Sequence, residues 1–543
     1  VNEIEVPVLI AGGSLIGLTA SVLLGSQGVK SLVVEKHRGT AIHPRAAMLH
    51  QRTTEIFREV DLGDVVREAA ALEFVQNGAI MAVEALGGKE LVYFQKNVNE
   101  GVDHLSPEPR LFITQIGLEP ILREKAESLG AEHRFSTELV SFEQDETGVR
   151  SVIRNRGTGE EELVRSAYLI AADGAHSTIR EQLGIRMLGR GDFANCITIY
   201  FKADIDALIG DRNLSVIYVN QPGLLGFFRY AITRDGGFLV VFSALDENGE
   251  KIPDVGANAD TEQCVRYVRT ALGASDDLPI TIESVQQWAA SAGWAEHYQK
   301  GRVFLVGDSA HVMPPTGGFG GNTGIVDAHN LAWKLAAVLQ GKAGEDLLAS
   351  YEQERRPAGE MTSEQAYSRY VLRVDPTLGK DDIEEPLDDV AIELGPVYAS
   401  EAIVDSVPSE KPVTQNPREP GAPLGARAPH LWVDRDGRRV STLDVFGGGF
   451  VLLAGAEGQA WKDAASRALG SEVTAYRVAA DGDLVAADGE FEAAYGIAPT
   501  GAVLVRPDGV VAWRADATAH AEGELDGALH RILARNEVPS ATA

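Results

Sequence analysis

Short, nearly continuous apolar runs closed by glycine alternate along the chain with stretches whose apolar residues recur at helical spacing. Val6 to Ile10 is one such run; it ends at Gly12-Gly13 and enters an apolar, helix-like segment. A run of this kind predicts a strand buried on both faces. Ser31 to Val34 repeats the pattern, and Glu35 closes it. A helix is predicted over Leu49 to Glu59, beyond Pro44, because the residue before a proline avoids helical geometry. Leu118, Ile121 and Leu122 form one apolar face on a helix that begins near Gln115. Val140 to Arg154 and Glu161 to Ala171 predict hairpin strands. Cys196 to Phe201, Leu214 to Val219, Leu225 to Ile232 and Phe238 to Ser243 predict consecutive antiparallel strands, with turns at Gly210, Pro222-Gly223 and Asp235-Gly236-Gly237. A helix over residues 261–273, a buried strand at Arg302 to Asp308 and a helix running to Leu339 follow. Residues 64–110 give no clear pattern. Residues 374–430 are rich in acid and proline and predict a partly ordered linker. From Thr442 the alternation resumes as a small α/β module. Its strands are predicted at Phe450 to Ala454, Val473 to Val478, Phe491 to Tyr495, Gly501 to Val505 and Val510 to Trp513. One helix is expected over 457–469 and another at the end.

Composition narrows the function classes. At 543 residues and 44% hydrophobic, the chain can build about three domains. A net charge of −30 argues against nucleic acid and anionic membrane as partners. Cys196 and Cys264 are the only cysteines, which excludes a disulfide framework and a cysteine metal cluster and fits a reducing, cytoplasmic setting. The first strand, expected by about Ile4, leaves no room for a signal peptide. No apolar run approaches the ~18 residues of a membrane span.

Three stretches carry candidate chemistry. Gly12, Ser14 and Gly17 occupy the three places of a dinucleotide fingerprint, and Glu35 follows eighteen residues after Gly17, where an acid would accept from a ribose hydroxyl. The helix N-terminus after the turn offers free N–H groups and the positive end of its dipole to a pyrophosphate. The middle place is serine rather than glycine, and its hydroxyl is expected to donate to a phosphate. FAD and NAD are equally compatible with this stretch alone. A strand ending in Asp173-Gly174 suits a second ligand contact. Between Gly307 and Gly324 lie six glycines and two prolines, a density that predicts backbone passing close to something flat or charged. A helix expected to start near Asn322 adds a second positive terminus there. His311, beside a strand end, is read as structural.

In this order, these three signatures resemble the single-component FAD-dependent aromatic hydroxylases, the class A flavoprotein monooxygenases. Tyr351-Glu-Gln-Glu-Arg-Arg-Pro357, Thr316 to Leu335 and the tail around Ser441 to Phe446 and Leu504 to Arg514 are most similar to the aromatic-polyketide branch, which includes the aklavinone and tetracenomycin hydroxylases. The resemblance implies an α/β fold: a Rossmann-type FAD-binding domain, an inserted, mostly antiparallel substrate sheet and a C-terminal thioredoxin-like α/β domain. The expected boundaries are 1–180 and 286–400 for the two parts of the FAD-binding domain, 181–285 for the substrate sheet, and 401–543 for the linker and last domain. It also implies roles for residues. Gly12, Gly17 and the Ser14 backbone, with Leu15 and Ile16, would hold the pyrophosphate, and Glu35 with Lys36 the adenosine ribose. Arg45 and Gln115 would touch the ribityl–phosphate region, and Asp308 a ribityl hydroxyl. Pro315, Gly318 and the Gly320–Gly321–Asn322 backbone would line the isoalloxazine, and Asp173 would contact FAD and NADPH. The Tyr351–Pro357 segment is expected to serve packing and hinging.

The reaction implied is hydroxylation of an aromatic polyketide or polycyclic phenol with NADPH and O2, through a flavin C4a-hydroperoxide, in antibiotic or other secondary-metabolite biosynthesis. A phenolate attacks better than a phenol, so a polar group should assist ionisation. Tyr218, on a predicted substrate strand, and Arg373, on the helix after Pro357, are the catalytic candidates. The cofactor performs the difficult step, so no metal, nucleophile or triad is needed. The terminal module contains no cysteine, which excludes disulfide exchange. A Baeyer–Villiger oxygenase or an antibiotic-inactivating hydroxylase of the same fold remains the alternative. A monomer or homodimer is expected.

Overall fold

A computed structural model describes residues 3–42, 48–246, 248–257, 259–406, 413–517 and 521–535. The first sheet is built around the strand Glu3–Ala11. It pairs in parallel with Ser31–Glu35 on one side and Glu161–Ala171 on the other. Glu132–Phe135 and Val303–Leu305 extend the parallel core outward. Val8, Leu9 and Ile10 are fully buried, because helices cover both faces of these strands. The helix Leu15–Ser26 lies between the helices Gln115–Ser128 and Phe319–Leu339. The run 140–154, read from sequence as a single strand of a hairpin, is itself a hairpin. Thr137–Gln144 and Val149–Asn155 meet at a turn where Asp145 accepts from the N–H groups of Thr147 and Gly148.

The second sheet runs in the order His311–Val312, Thr281–Ala295, Met187–Lys202, Gly236–Ala244, Leu224–Tyr230, Leu214–Gln221, Ala79–Val83, Glu90–Gln95. All neighbours are antiparallel except Leu214–Gln221 with Ala79–Val83. The sheet therefore reaches beyond 181–285 at both ends. Residues 64–110, unreadable by pattern, supply two of its strands and the helix Gly63–Glu73. Its strands alternate with period two. Ile197, Ile199, Phe201, Leu239 and Val241 point to the helix Thr261–Leu272. Tyr200, Phe227, Phe238, Val240, Phe242 and Trp288 point the opposite way, toward the first sheet's glycine loops.

Within 374–430, the described residues 374–406 and 413–430 pack more closely onto the protein than the partly ordered linker expected. Val390, Ile392, Leu394, Ala402 and Ile403 are buried, and Glu393, in the helix Asp389–Glu393, pairs with buried Arg110 at 2.6 Å. The acid and proline content hid an apolar set that straps the segment down. The terminal module has the sheet order Val473–Arg477, Phe450–Ala454, Ala502–Val505, Val511–Ala515, with the first pair parallel and the others antiparallel. This is a thioredoxin-like arrangement. Its predicted strand at Phe491 to Tyr495 is instead the helix Glu490–Tyr495, bounded by left-handed Gly489 and Gly496, with Phe491 and Tyr495 on one face. Arg506 fastens the module to the helix Ala349–Arg373 through Glu354 at 2.6 and 2.9 Å. No helix among the described residues is long and apolar enough to cross a membrane.

Candidate active site

The turn after the first strand is a cradle in which a Cβ has no room. Gly12 has φ +109°, and a Cβ there would lie 2.1 Å from the Ala172 carbonyl oxygen; one on Gly17 would lie 1.8 Å from that of Gly12. The Glu35 carboxylate closes the turn, accepting from Gly13 N and His37 N, each at 2.8 Å. Ser14 changes one of its two expected contacts. Its hydroxyl donates to Glu119 Oε1 at 2.5 Å, which leaves its backbone rather than its side chain for a phosphate. Leu15 faces the main cavity, and Ile16 packs beneath Gly307 and Gly324. Lys36 is exposed, with its carbonyl accepting from Arg156. Gln115 opens its helix half-buried. Arg45 lies outside the described residues.

Asp173 ends its strand with Oδ2 accepting from Ile179 N at 3.3 Å, while Oδ1 is buried without a hydrogen-bond partner. Burial pushes this carboxyl above its ordinary range. Arg180 binds the carbonyls of Ser309 and Ala175 at 2.9 and 3.0 Å, which fixes the Asp-Gly turn against the turn Gly307–Ser309.

The helix predicted near Asn322 begins one turn earlier, at Phe319, because Gly318 adopts the left-handed N-cap conformation with φ +70°. Gly320, Gly321 and Asn322 therefore form its first turn, where backbone N–H groups have no intrahelical acceptors. The Asn322 side chain points away. Its Oδ1 accepts from His50 N and Thr53 Oγ1, and its Nδ2 donates to Met48 and Gly318 carbonyls, all within 2.9 Å.

Asp308, Pro315, Gly318, Gly320, Gly321 and Asn322 line one side of a cavity of 660 Å³. The aromatic face of the second sheet lines the other. Tyr218 and Arg373 both line it, and the Arg373 charge acts on the Tyr218 phenol. Burial pushes the Tyr218 phenol up, so it is a neutral donor, and the charges of Arg373 and Arg229 counter that only in part. Arg229 stacks over Phe112 at 4.0 Å and is lowered to about 9 by burial.

Three groups went unread in the sequence. Arg229, Glu119 and His50 are ordinary members of a strand and two helical stretches, and only the tertiary fold brings them to the site. His50 Nε2 donates to the Gly317 carbonyl at 3.0 Å, since a carbonyl only accepts, and burial lowers the ring's pKa. His311 is structural, as expected. It is fully buried against Asp327 at 2.7 Å. The cradle at Gly12, the two helix N-termini and the long cavity between them fit a dinucleotide carrying a flat ring system.

Comparison with known proteins agrees. A family model described as an FAD binding domain matches residues 5–366, and one described as the C-terminal region of aromatic-ring hydroxylases matches residues 422–536. A 4-methyl-5-nitrocatechol 5-monooxygenase from a Burkholderia species is 46% identical, with 98% of each chain covered. A tetracenomycin B2 monooxygenase-dioxygenase from Streptomyces olivaceus is 40% identical over 98% of this chain and all of its own. The crystal structure of a ternary complex of aklavinone-11 hydroxylase with FAD and aklavinone superimposes with a TM-score of 0.90 at 35% identity, covering 98% of this chain and all of that one.

Proposed function

The chain belongs to the class A FAD-dependent aromatic hydroxylases, and from that premise we propose that it uses NADPH and O2 to hydroxylate a polycyclic phenol or aromatic polyketide. One observation carries this reading. A single 660 Å³ cavity has the glycine loop 313–322 as one wall and Tyr200, Tyr218, Phe227, Phe238, Phe242 and Trp288 as the other. That width and aromatic lining suit a flat, fused-ring substrate. The chemistry FAD supplies when bound is hydride acceptance from NADPH followed by activation of O2 toward an electron-rich ring carbon. The balance is one substrate C–H, O2, NADPH and a proton to one C–OH, water and NADP⁺.

The protein's own residues bind, orient and keep the site dry. The Gly12–Gly17 turn and the Leu15–Ser26 helix terminus hold the pyrophosphate, Glu35 the ribose, and Asp308 a ribityl hydroxyl. Amides of the Phe319–Leu339 first turn would supply N–H groups to the ring system and favour negative charge there. Arg373 and Arg229 stabilise an ionised substrate oxygen. Arginine cannot serve as an ordinary base, so their contribution is charge rather than proton transfer. Tyr218, neutral and beside the Arg373 charge, would donate to that oxygen. Asp173 would contact both FAD and the nicotinamide cofactor.

The nitrocatechol monooxygenase relative favours a second substrate class, a substituted single-ring catechol. A product assay with 18O-labelled O2 against polycyclic phenols, nitrocatechols and cyclic ketones separates the readings. One labelled oxygen on a fused ring carbon supports the proposal. A labelled ring lactone makes the protein a Baeyer–Villiger oxygenase, and NADPH oxidation indifferent to every aromatic compound overturns the hydroxylase reading.

A further inference from the structure

Glu119 occupies a place that the cofactor's pyrophosphate should find hostile. It is fully buried, in the helix Gln115–Ser128. Its Oε1 accepts from Ser14 Oγ at 2.5 Å and its Oε2 from Ala41 N at 2.6 Å, and the Leu15 N–H also reaches it. Ser14 is the N-cap and Leu15 the first residue of the helix whose terminus receives the phosphates. A carboxylate thus sits on the helix terminus that an incoming diphosphate would approach. The serine in the fingerprint's middle place makes this possible, since glycine has no hydroxyl to give.

We propose that Glu119 is a proton-linked positioning residue for FAD: as a carboxylate it holds the phosphate-binding turn in shape, and it takes up a proton when the pyrophosphate arrives. Among the described residues its hydrogen-bond donors are one hydroxyl and backbone amides. The charged group facing it from the neighbouring strand is Glu35, another acid, itself shared with His37 through a 2.5 Å contact. Burial and the Glu35 charge already hold the Glu119 carboxyl above its ordinary range, against the hydrogen bonds. Two phosphate charges beside it raise that level further. Between its midpoints in the free and loaded protein, loading therefore consumes a proton. The dissociation constant for FAD rises with pH there, by up to about tenfold per unit, and levels off above the upper midpoint. The carboxamide of Glu119→Gln keeps an acceptor for Ala41 N without the charge.

The inference rests on FAD binding at this turn, and the test separates the two. The full-length apoprotein is titrated with FAD across the whole pH range in which it stays folded, followed by quenching of flavin fluorescence. Proton uptake is counted by calorimetry in two buffers of different ionisation enthalpy. In wild type, affinity falls with pH and protons are taken up; in Glu119→Gln the curve is flat, with tighter binding than wild type at the alkaline end. Ser14→Ala removes a donor to the ionised form and moves the fall to higher pH, and it serves where Glu119→Gln does not fold. Superposable curves and equal proton counts for wild type and Glu119→Gln overturn the proposal, as does an unmoved midpoint in Ser14→Ala. Failure of the wild type to bind FAD at all would instead remove the cofactor site itself.

Discussion

Arg355 Nε donates to Asp327 Oδ1 at 2.8 Å, with both side chains buried. The other Asp327 oxygen accepts from His311 Nε2 at 2.7 Å and from Gly307 N at 3.0 Å. One carboxylate therefore joins the Tyr351–Pro357 segment, the strand end at His311 and the turn that carries Asp308. Burial would raise this acid, but the charges of His311 and Arg355 win and hold it below its ordinary range. Replacing Asp327 with Asn leaves Arg355 buried without its counter-charge. The expected cost is about 3–5 kcal/mol, read as a lower urea midpoint with weaker FAD retention. An unchanged midpoint would show that this carboxylate is not the tie between the three elements.

Asn322 makes a second such tie, between the helix that opens at the glycine loop and the segment 48–53. Four hydrogen bonds converge on its amide in a buried setting. Asn322→Ala strands two donors and two acceptors, at about 1 kcal/mol or more for each left unpaired. Thermal unfolding should fall, and FAD should dissociate faster because Met48 and Gly318 both border the cavity. Asn322→Asp keeps the two accepted bonds but loses both donated ones, so it should fall between wild type and Ala.

The parallel core and the phosphate turn were legible because their information is local. Val6 to Ile10, Gly12, Gly17 and Glu35 specify strand, turn and acid within one βαβ unit. The substrate strands were legible too, since alternation survives even where both faces are apolar, as at Cys196 to Phe201. What stayed hidden depends on distant partners. Glu393 among acids and prolines gives no sign that Arg110 will pair with it. The Ser14 hydroxyl was assigned to phosphate because nothing near it in the chain announces Glu119. The helix Glu490–Tyr495 was misread as a strand because its aromatic residues suit either state, and only the flanking left-handed glycines decide it.

His430 gives the terminal module an acid-sensitive element. It is buried, with Nδ1 sharing a hydrogen bond with Ser441 Oγ at 2.7 Å and its ring edge-on to Trp432. Burial, helped by the nearby Arg427 charge, lowers its pKa from 6.5 to about 4. The folded protein thus binds fewer protons than the unfolded chain between those values. Stability is full above about pH 6.5 and falls as the pH drops toward about 4, by at most about 3 kcal/mol. Denaturation followed across that range should lose part of its slope in His430→Gln. An identical slope would assign the acid sensitivity to other groups.

Arg373 closes the helix Ala349–Arg373 and reaches Tyr218 across the cavity, while Arg229 approaches the same phenol from within the sheet. On the proposed reading, a positive charge at that place would stabilise a substrate oxygen as it ionises and would do little for hydride transfer to the flavin. Arg373→Ala should therefore slow hydroxylation by about tenfold or more, about 1.4 kcal/mol, while flavin reduction in the same stopped-flow traces changes far less. Arg229→Met keeps much of the volume over Phe112 and should raise KM most for substrates already ionised at the assay pH. Phenols of graded acidity make the comparison: the loss in each variant should grow with the negative charge on the substrate. Equal slowing of reduction and hydroxylation in Arg373→Ala would take that side chain out of the reacting site.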